Sequence, residues 1–299
     1  MEPKPLLVNR LLLAYLLLTF LAPLFGFLAI LGLAFYVAYL EIQGVLPEDY
    51  EPPDALLEDV LFEWGFLFAN LVFLRLLLRY LPRRSLAPGR DAPAAVALTL
   101  AYGLATSLIT AAFLPEDYLV HLRETIYPQT PAGWVPFAVS AVLLAPVIEE
   151  GLFRGLMLSA YARARGPVFA LYAQAGLFAL AHGDPVVALD TFGFAWIAGR
   201  YALRHGRLGA PILAHALGNA AAVAQAYQTP EPEKLPAEWG YLGILLLVLV
   251  LWVAKRRYPL PEEKPTRPEP VLSASLMLFL AIACGITLLS TLELLALIP

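Results

Sequence analysis

The sequence predicts an all-α polytopic transmembrane helical bundle of about nine spans, and three observations support this prediction. The chain has 299 residues, of which 60% are hydrophobic and only 15% are charged, whereas soluble domains have roughly 45–50% apolar and about 25% charged residues. Its apolar runs recur along the chain, and most approach the roughly 20 residues that a helix needs to cross a bilayer. The Lys and Arg residues collect on alternate loops.

The apolar runs define the spans when they are taken in chain order. The first run is longer than one span requires and contains Pro23 and Gly26, where we expect a kink. The fifth run is short, and Asp184 and Pro185 after it fit the N-cap and first position of the next helix. The nine predicted spans cover about residues 11–40, 60–81, 93–114, 135–162, 167–182, 185–203, 210–228, 239–254 and 271–297.

The basic residues predict the orientation of the chain. If the N-terminus is cytoplasmic, all of the 20 Lys and Arg residues except Arg123, Lys234 and Arg154 fall in cytoplasmic connections. Arg123 and Lys234 fall outside and Arg154 lies within a span. This distribution follows the positive-inside rule. It predicts a multi-pass integral membrane protein with a cytoplasmic N-terminus and a C-terminus outside.

We divide the chain into three parts on this basis. Residues 1–134 hold the first three spans and their loops, residues 135–228 form a core of spans four to seven, and residues 229–299 hold the last two spans. The single cysteine, Cys284, excludes an intrachain disulfide and a Cys-rich metal cluster.

Two adjacent carboxylates, Glu149 and Glu150, fall inside the fourth span. A carboxylate at the bilayer centre costs roughly 2.5–3.5 kcal/mol on insertion scales. Glu150 and Arg154 are four residues apart, hence on one helix face, and we expect them to pair. Glu149 points about 100° away around the helix and has no such partner. It is therefore the carboxylate that is free for chemistry.

Polar residues in two further spans complete a candidate site. His182 ends the fifth span, and His215 and Asn219 are one turn apart on one face of the seventh. Helical bundles build sites from inward side chains on facing helices. A carboxylate can act as general base on a water, and imidazoles can orient that water or stabilise an oxyanion.

Three motifs in these spans resemble a known family. They are Glu149-Glu150-x-x-x-Arg154, Phe178-x-x-x-His182 and His215-x-x-x-Asn219. In this order they resemble the type II CAAX prenyl endopeptidase family, the Abi or CPBP group of intramembrane proteases. The resemblance covers roughly residues 136–222.

The resemblance implies a role for each motif residue. Glu149 and His182 would activate a water for peptide hydrolysis, while His215 and Asn219 would hold the oxyanion. Glu150 and Arg154 would support the site. The implied partners are the lipid bilayer and a membrane-anchored or lipidated peptide or protein substrate, with prenylated C-a-a-X proteins as the best-known class. No nucleic acid is expected.

Metal dependence and two rival functions stay open at this stage. Glu149, His182 and His215 are the candidate ligands for a divalent metal such as zinc, although the sequence lacks the His-Glu-x-x-His pattern of zincins. A proton-coupled transporter also uses intramembrane Glu and His residues, but it predicts internal repeats that we do not find. A non-enzymatic scaffold or immunity factor predicts altered motifs, and these motifs are intact.

Overall fold

The computed structural model describes residues 4–47, 50–81, 86–89, 91–229, 234–262 and 265–297. Within these ranges the protein is helical and contains no strand, which confirms the all-α prediction. The helices of the described residues are α1 (Pro5–Phe20), α2 (Ala22–Ile42), α3 (Asp54–Leu77), α4 (Ala92–Phe113), α5 (Glu116–Ile126), α6 (Pro131–Arg165), α7 (Pro167–Leu180), α8 (Pro185–His205), α9 (Gly209–Gln228), α10 (Ala237–Arg257) and α11 (Ala274–Leu297).

Seven segments of the described chain are long and apolar enough to cross a membrane. They are the continuous pair α1 and α2, followed by α3, α4, α6, α8, α10 and α11. Helix α7 is apolar but shorter than a span, and α9 is not among the seven. The predicted count of nine spans included both of these helices and stays a prediction.

The first apolar run forms two helices that meet at Leu21. Pro23 lies in the first turn of α2, where its missing N–H costs no intrahelical hydrogen bond. The break at Leu21 lies close to the kink expected at Pro23, whereas Gly26 lies within the continuous helix α2. Gly26 lets α2 lie directly against α3, because a Cβ atom on Gly26 would overlap the backbone carbonyl of Leu61.

Helix α6 lies at the centre of the bundle and packs against α1, α3, α7, α8 and α9. Two of its turns are π-helical, Val139–Leu144 and Glu150–Met157. The carboxylate of Asp59 holds the start of the helix, since it accepts hydrogen bonds from the backbone N–H and the hydroxyl of Thr130, both at 2.6 Å. The start of α6, the helix that carries Glu149 and Glu150, is therefore held by a residue of α3.

A buried polar contact fixes α1 against α6 and the start of α11. The fully buried side chain of Asn9 donates to the carbonyl of Val271 at 2.7 Å. Its oxygen accepts a hydrogen bond from the hydroxyl of Tyr161 at 2.5 Å. Because both ends of this amide are hydrogen-bonded, the contact sets the register of α1 along α6.

The turn between α7 and α8 carries His182 and is tightly held. Gly183 has a φ of 75°, a conformation that glycine adopts without strain. Asp184 is the N-cap of α8, and its carboxylate accepts from the backbone N–H groups of Val186 and Val187 at 2.8 and 2.9 Å. This confirms the cap predicted from the sequence. The hydroxyl of Tyr118 donates to the same carboxylate at 2.7 Å.

Candidate active site

Glu149 and Glu150 lie at the point where an α-helical turn becomes π-helical. Residues Ala145–Glu149 are α-helical, and Glu150 begins the π-helical stretch. Pro146 has no backbone N–H, so it removes one hydrogen bond from the preceding turn. Isolated π-helical turns inside α-helices are frequent at functional sites, because they change the direction of side chains. This π-helical turn was not predicted from the sequence.

Glu150 and Arg154 form the predicted ion pair. The guanidinium Nη1 of Arg154 lies 3.3 Å from Oε1 of Glu150, and both side chains are buried. The Arg154 guanidinium carbon also lies 4.1 Å from the ring centroid of Phe178 and 5.2 Å from that of Phe194. A cation over an aromatic face is favourable where water is absent. The pair is therefore enclosed by aromatic rings.

His215 connects the two glutamates. Its Nδ1 atom lies 3.1 Å from Oε1 of Glu150, and its Nε2 atom lies 3.8 Å from Oε2 of Glu149. The contact with Glu150 is within hydrogen-bonding distance, whereas the contact with Glu149 is too long for a hydrogen bond. These contacts place the second turn of α9 level with the centre of α6. The two helices are offset along their axes, so residues at different depths in their own helices meet in one site.

The two carboxylate oxygens of Glu149 have different surroundings. Oε1 accepts a hydrogen bond from the hydroxyl of Tyr15 on α1 at 3.0 Å. Oε2 is buried and has no hydrogen-bond partner among the described residues. Glu149 is thus partnered, although no cation lies at helical spacing on its own helix. Its second oxygen is the one that remains available.

His182 lies beside the same aromatic ring as Arg154 and His215. The Nδ1 atom of His182 lies 2.8 Å from the carbonyl oxygen of Phe178, so this nitrogen carries the proton. The ring centroids of His182 and His215 lie 4.7 and 6.3 Å from the centroid of Phe178. Both imidazole rings therefore pack around the ring of Phe178. The Nε2 atom of His182 stays free to accept when the ring is neutral.

Asn219 lies one turn beyond His215 on α9. Its amide nitrogen donates to the carbonyl of Ala141 at 2.7 Å, within the first π-helical stretch of α6. An amide NH2 group has two hydrogens, so one remains for another acceptor. This hydrogen bond also joins α9 to α6 and helps to keep His215 beside Glu149 and Glu150.

Sequence reasoning missed Tyr15 and Phe194. Tyr15 lies 134 positions from Glu149, and only its polar hydroxyl within an aliphatic run could have drawn attention to it. Phe194 packs on His215, with ring centroids 4.9 Å apart. Both residues lie outside the three motifs, and their contacts depend on how separate helices pack.

The predicted metal ligands Glu149, His182 and His215 all lie within the part of the chain that the structure describes. Among the described residues, no group of three or more His, Cys, Asp or Glu side chains has the arrangement of a metal site. Both ring nitrogens of His215 face carboxylates of α6.

The fold and the site together define a class of protein. The apolar helices and the buried carboxylate–imidazole cluster are those of a polytopic integral membrane protein with a polar site inside its bundle.

One known protein family matches part of the chain. Residues 131–221 match the family model described as type II CAAX prenyl endopeptidase Rce1-like, a family of proteases. The match includes all three motifs and confirms the resemblance predicted from them. No curated protein and no solved structure gives a significant match to the chain.

Proposed function

We propose that this protein is an intramembrane endopeptidase that hydrolyses a peptide bond of a membrane-anchored substrate. The observation that carries the proposal is the position of His215 between Glu149 and Glu150, inside the segment that matches a protease family. The description of that family makes a prenylated C-a-a-X protein the first substrate class to test.

The charges of the cluster support a protonated His215. Glu149 and Glu150 contribute two negative charges, and Arg154 supplies one positive charge. An unbalanced charge is costly in a buried site, and an imidazolium at His215 would make the cluster neutral. Its Nδ1–H then donates to Glu150, and its Nε2–H points towards Glu149 across 3.8 Å. That gap leaves the Nε2–H free to donate to a substrate.

Glu149 is the proposed general base. Oε2 of Glu149 is buried, lacks a partner among the described residues and lies beside the imidazole of His215. A water held by this oxygen and by the free Nε2 of His182 would lose its proton to Glu149 as it attacks the scissile carbonyl carbon. A carboxylate without competing donors at Oε2 is suited to this role.

His215 and Asn219 are the proposed donors to the oxyanion. Attack by water places a negative charge on the former carbonyl oxygen, which the Nε2–H of His215 and the second amide hydrogen of Asn219 would stabilise. The C–N bond then breaks, and Glu149 returns its proton to the leaving nitrogen. The products are a new carboxyl terminus and a new amine, with Glu149 restored.

Cleavage of a farnesylated C-a-a-X reporter peptide by the purified protein tests the proposal. We expect the wild type to release the terminal tripeptide and Glu149→Gln to lose activity, since the amide has no basic oxygen. Glu238→Gln is the matched control, because Glu238 is exposed in the first turn of α10. Cleavage by Glu149→Gln at the wild-type rate would overturn the proposal.

The same assay separates the substrate class from the chemistry. A transmembrane peptide without a prenyl group forms the second arm, and a chelator such as 1,10-phenanthroline forms the third. We expect the chelator to leave the rate unchanged. Loss of activity that returns with added Zn²⁺ would instead assign Glu149, His182 and His215 to a metal.

A further inference from the structure

Tyr15 contacts the proposed catalytic base from a helix outside the matched segment. Its hydroxyl donates to Oε1 of Glu149 at 3.0 Å. Its ring lies 5.0 Å from the ring of Phe73 on α3, between centroids. The ring of Tyr15 is therefore held by an aromatic contact, and its hydroxyl reaches the carboxylate of Glu149. Residues 131–221 alone do not provide this hydrogen bond.

The position of Tyr15 is set by the anchor at Asn9. The side chain of Asn9 is fully buried and is hydrogen-bonded to Tyr161 on α6 and to Val271 before α11. Tyr15 follows six residues later on the same helix, which is roughly 9 Å along the axis at 1.5 Å per residue. The anchor fixes the axial position of α1 and hence the height at which the Tyr15 hydroxyl meets Glu149.

We propose that Tyr15 is a positioning residue that assigns separate tasks to the two oxygens of Glu149. The inference rests on the proposed function. By occupying Oε1, Tyr15 holds the carboxylate in one rotamer and leaves Oε2 as the oxygen that takes the proton from water. The N-terminal helix thereby becomes part of the active site.

The other groups around Glu149 stay in place when the Tyr15 hydroxyl is lost. The groups that face Glu149 are Tyr15 from α1 and His215 from α9, together with Glu150 and Arg154 on its own helix. Loss of the Tyr15 hydroxyl therefore frees Oε1 alone and lets the carboxylate turn. The chemical step should then slow, while substrate binding is unchanged.

Steady-state cleavage kinetics of Tyr15→Phe in the full-length protein test this inference. We expect kcat to fall several-fold and KM to stay unchanged, because the variant keeps the ring but no longer holds Oε1 of Glu149. The matched control is Tyr201→Phe on α8, which removes another buried, hydrogen-bonded hydroxyl that has no contact with Glu149. It should lower the thermal unfolding temperature and leave kcat unchanged.

A second variant keeps the test decisive if Tyr15→Phe unfolds. Replacement of Tyr15 by 4-fluorophenylalanine fills the same space but supplies no hydrogen-bond donor, so kcat should fall as in Tyr15→Phe. An unchanged kcat in a folded position-15 variant, or an equal loss of kcat in Tyr201→Phe, would overturn the role of Tyr15. Activity in Glu149→Gln would instead overturn the proposed function, so the two failures are distinguishable.

Discussion

His215 on α9 faces Glu150 with one ring nitrogen and Glu149 with the other. Nδ1 lies 3.1 Å from Glu150 Oε1, and Nε2 lies 3.8 Å from Glu149 Oε2. One imidazole thus joins a buried ion pair to the carboxylate that we propose as the base. The predictions below follow from this arrangement and from the contacts that hold it.

His215→Gln should abolish most of the activity while substrate binding is retained. Glutamine can replace the hydrogen bond to Glu150 but carries no charge to balance Glu149. Removal of one oxyanion donor typically lowers kcat by about 10²–10³-fold. Steady-state kinetics on the reporter peptide should show this loss in kcat with little change in KM. A loss confined to KM would mean that His215 binds substrate and does not stabilise the oxyanion.

Arg154→Met should destabilise the fold strongly. It removes the guanidinium that pairs with the fully buried Glu150, and breaking a buried ion pair costs about 3–5 kcal/mol. Adding Glu150→Gln should restore part of this loss, because the double variant buries no unpaired charge at these two positions. Denaturant unfolding in mixed micelles measures the free energy of each variant.

The matched control for this pair is Arg256→Met. Arg256 is exposed at the end of α10, and surface substitutions usually change stability by less than about 0.5 kcal/mol. Strictly additive losses in the double variant would show that Glu150 and Arg154 are not coupled.

Tyr118→Phe should lower both stability and kcat. The Tyr118 hydroxyl donates to Asp184, which caps α8 two residues after His182. Burial and then the hydrogen bond to Asp184 raise the pKa of Tyr118, so the hydroxyl keeps its proton throughout the neutral range. A hydrogen bond to a charged group contributes about 1.5–3 kcal/mol.

Thermal unfolding and cleavage rates of the Tyr118 variant provide the check. Loss of stability with an unchanged kcat would show that the contact does not position His182. Tyr241→Phe, at an exposed position of α10, should change neither quantity.

Cysteine labelling should place the ends of two helices on opposite sides of the membrane. In a Cys284→Ser background, Gln43→Cys after α2 should react with an impermeant maleimide added to intact cells. Arg256→Cys at the end of α10 should react only after permeabilisation. Both positions are exposed in the structure. The reverse pattern would contradict the predicted cytoplasmic N-terminus.

Local spacing explains why much of the site was predictable. The pair Glu150–Arg154 and the cap at Asp184 depend on residues within one or two turns, so the sequence pattern alone predicted both. The predicted grouping of His215 with Glu149 rested on the motifs, because spacing within a helix says nothing about neighbouring helices. The structure shows that α6 and α9 are offset along their axes, so that His215 meets Glu149 although the two residues lie at different depths in their helices.

Contacts between distant segments explain what could not be predicted. Tyr15 reaches Glu149 only because the Asn9 anchor fixes the height of α1. The π-helical turns of α6 have no sequence signal stronger than Pro146. The close packing at Gly26 depends on α3, which the sequence around Gly26 does not reveal.

The most direct test of the account is the rate at which purified Glu149→Gln protein cleaves the farnesylated C-a-a-X reporter, beside the wild type and Glu238→Gln. The account predicts cleavage by the wild type and the control and none by Glu149→Gln, with equal thermal unfolding temperatures for all three. Equal rates for Glu149→Gln and the wild type would contradict it.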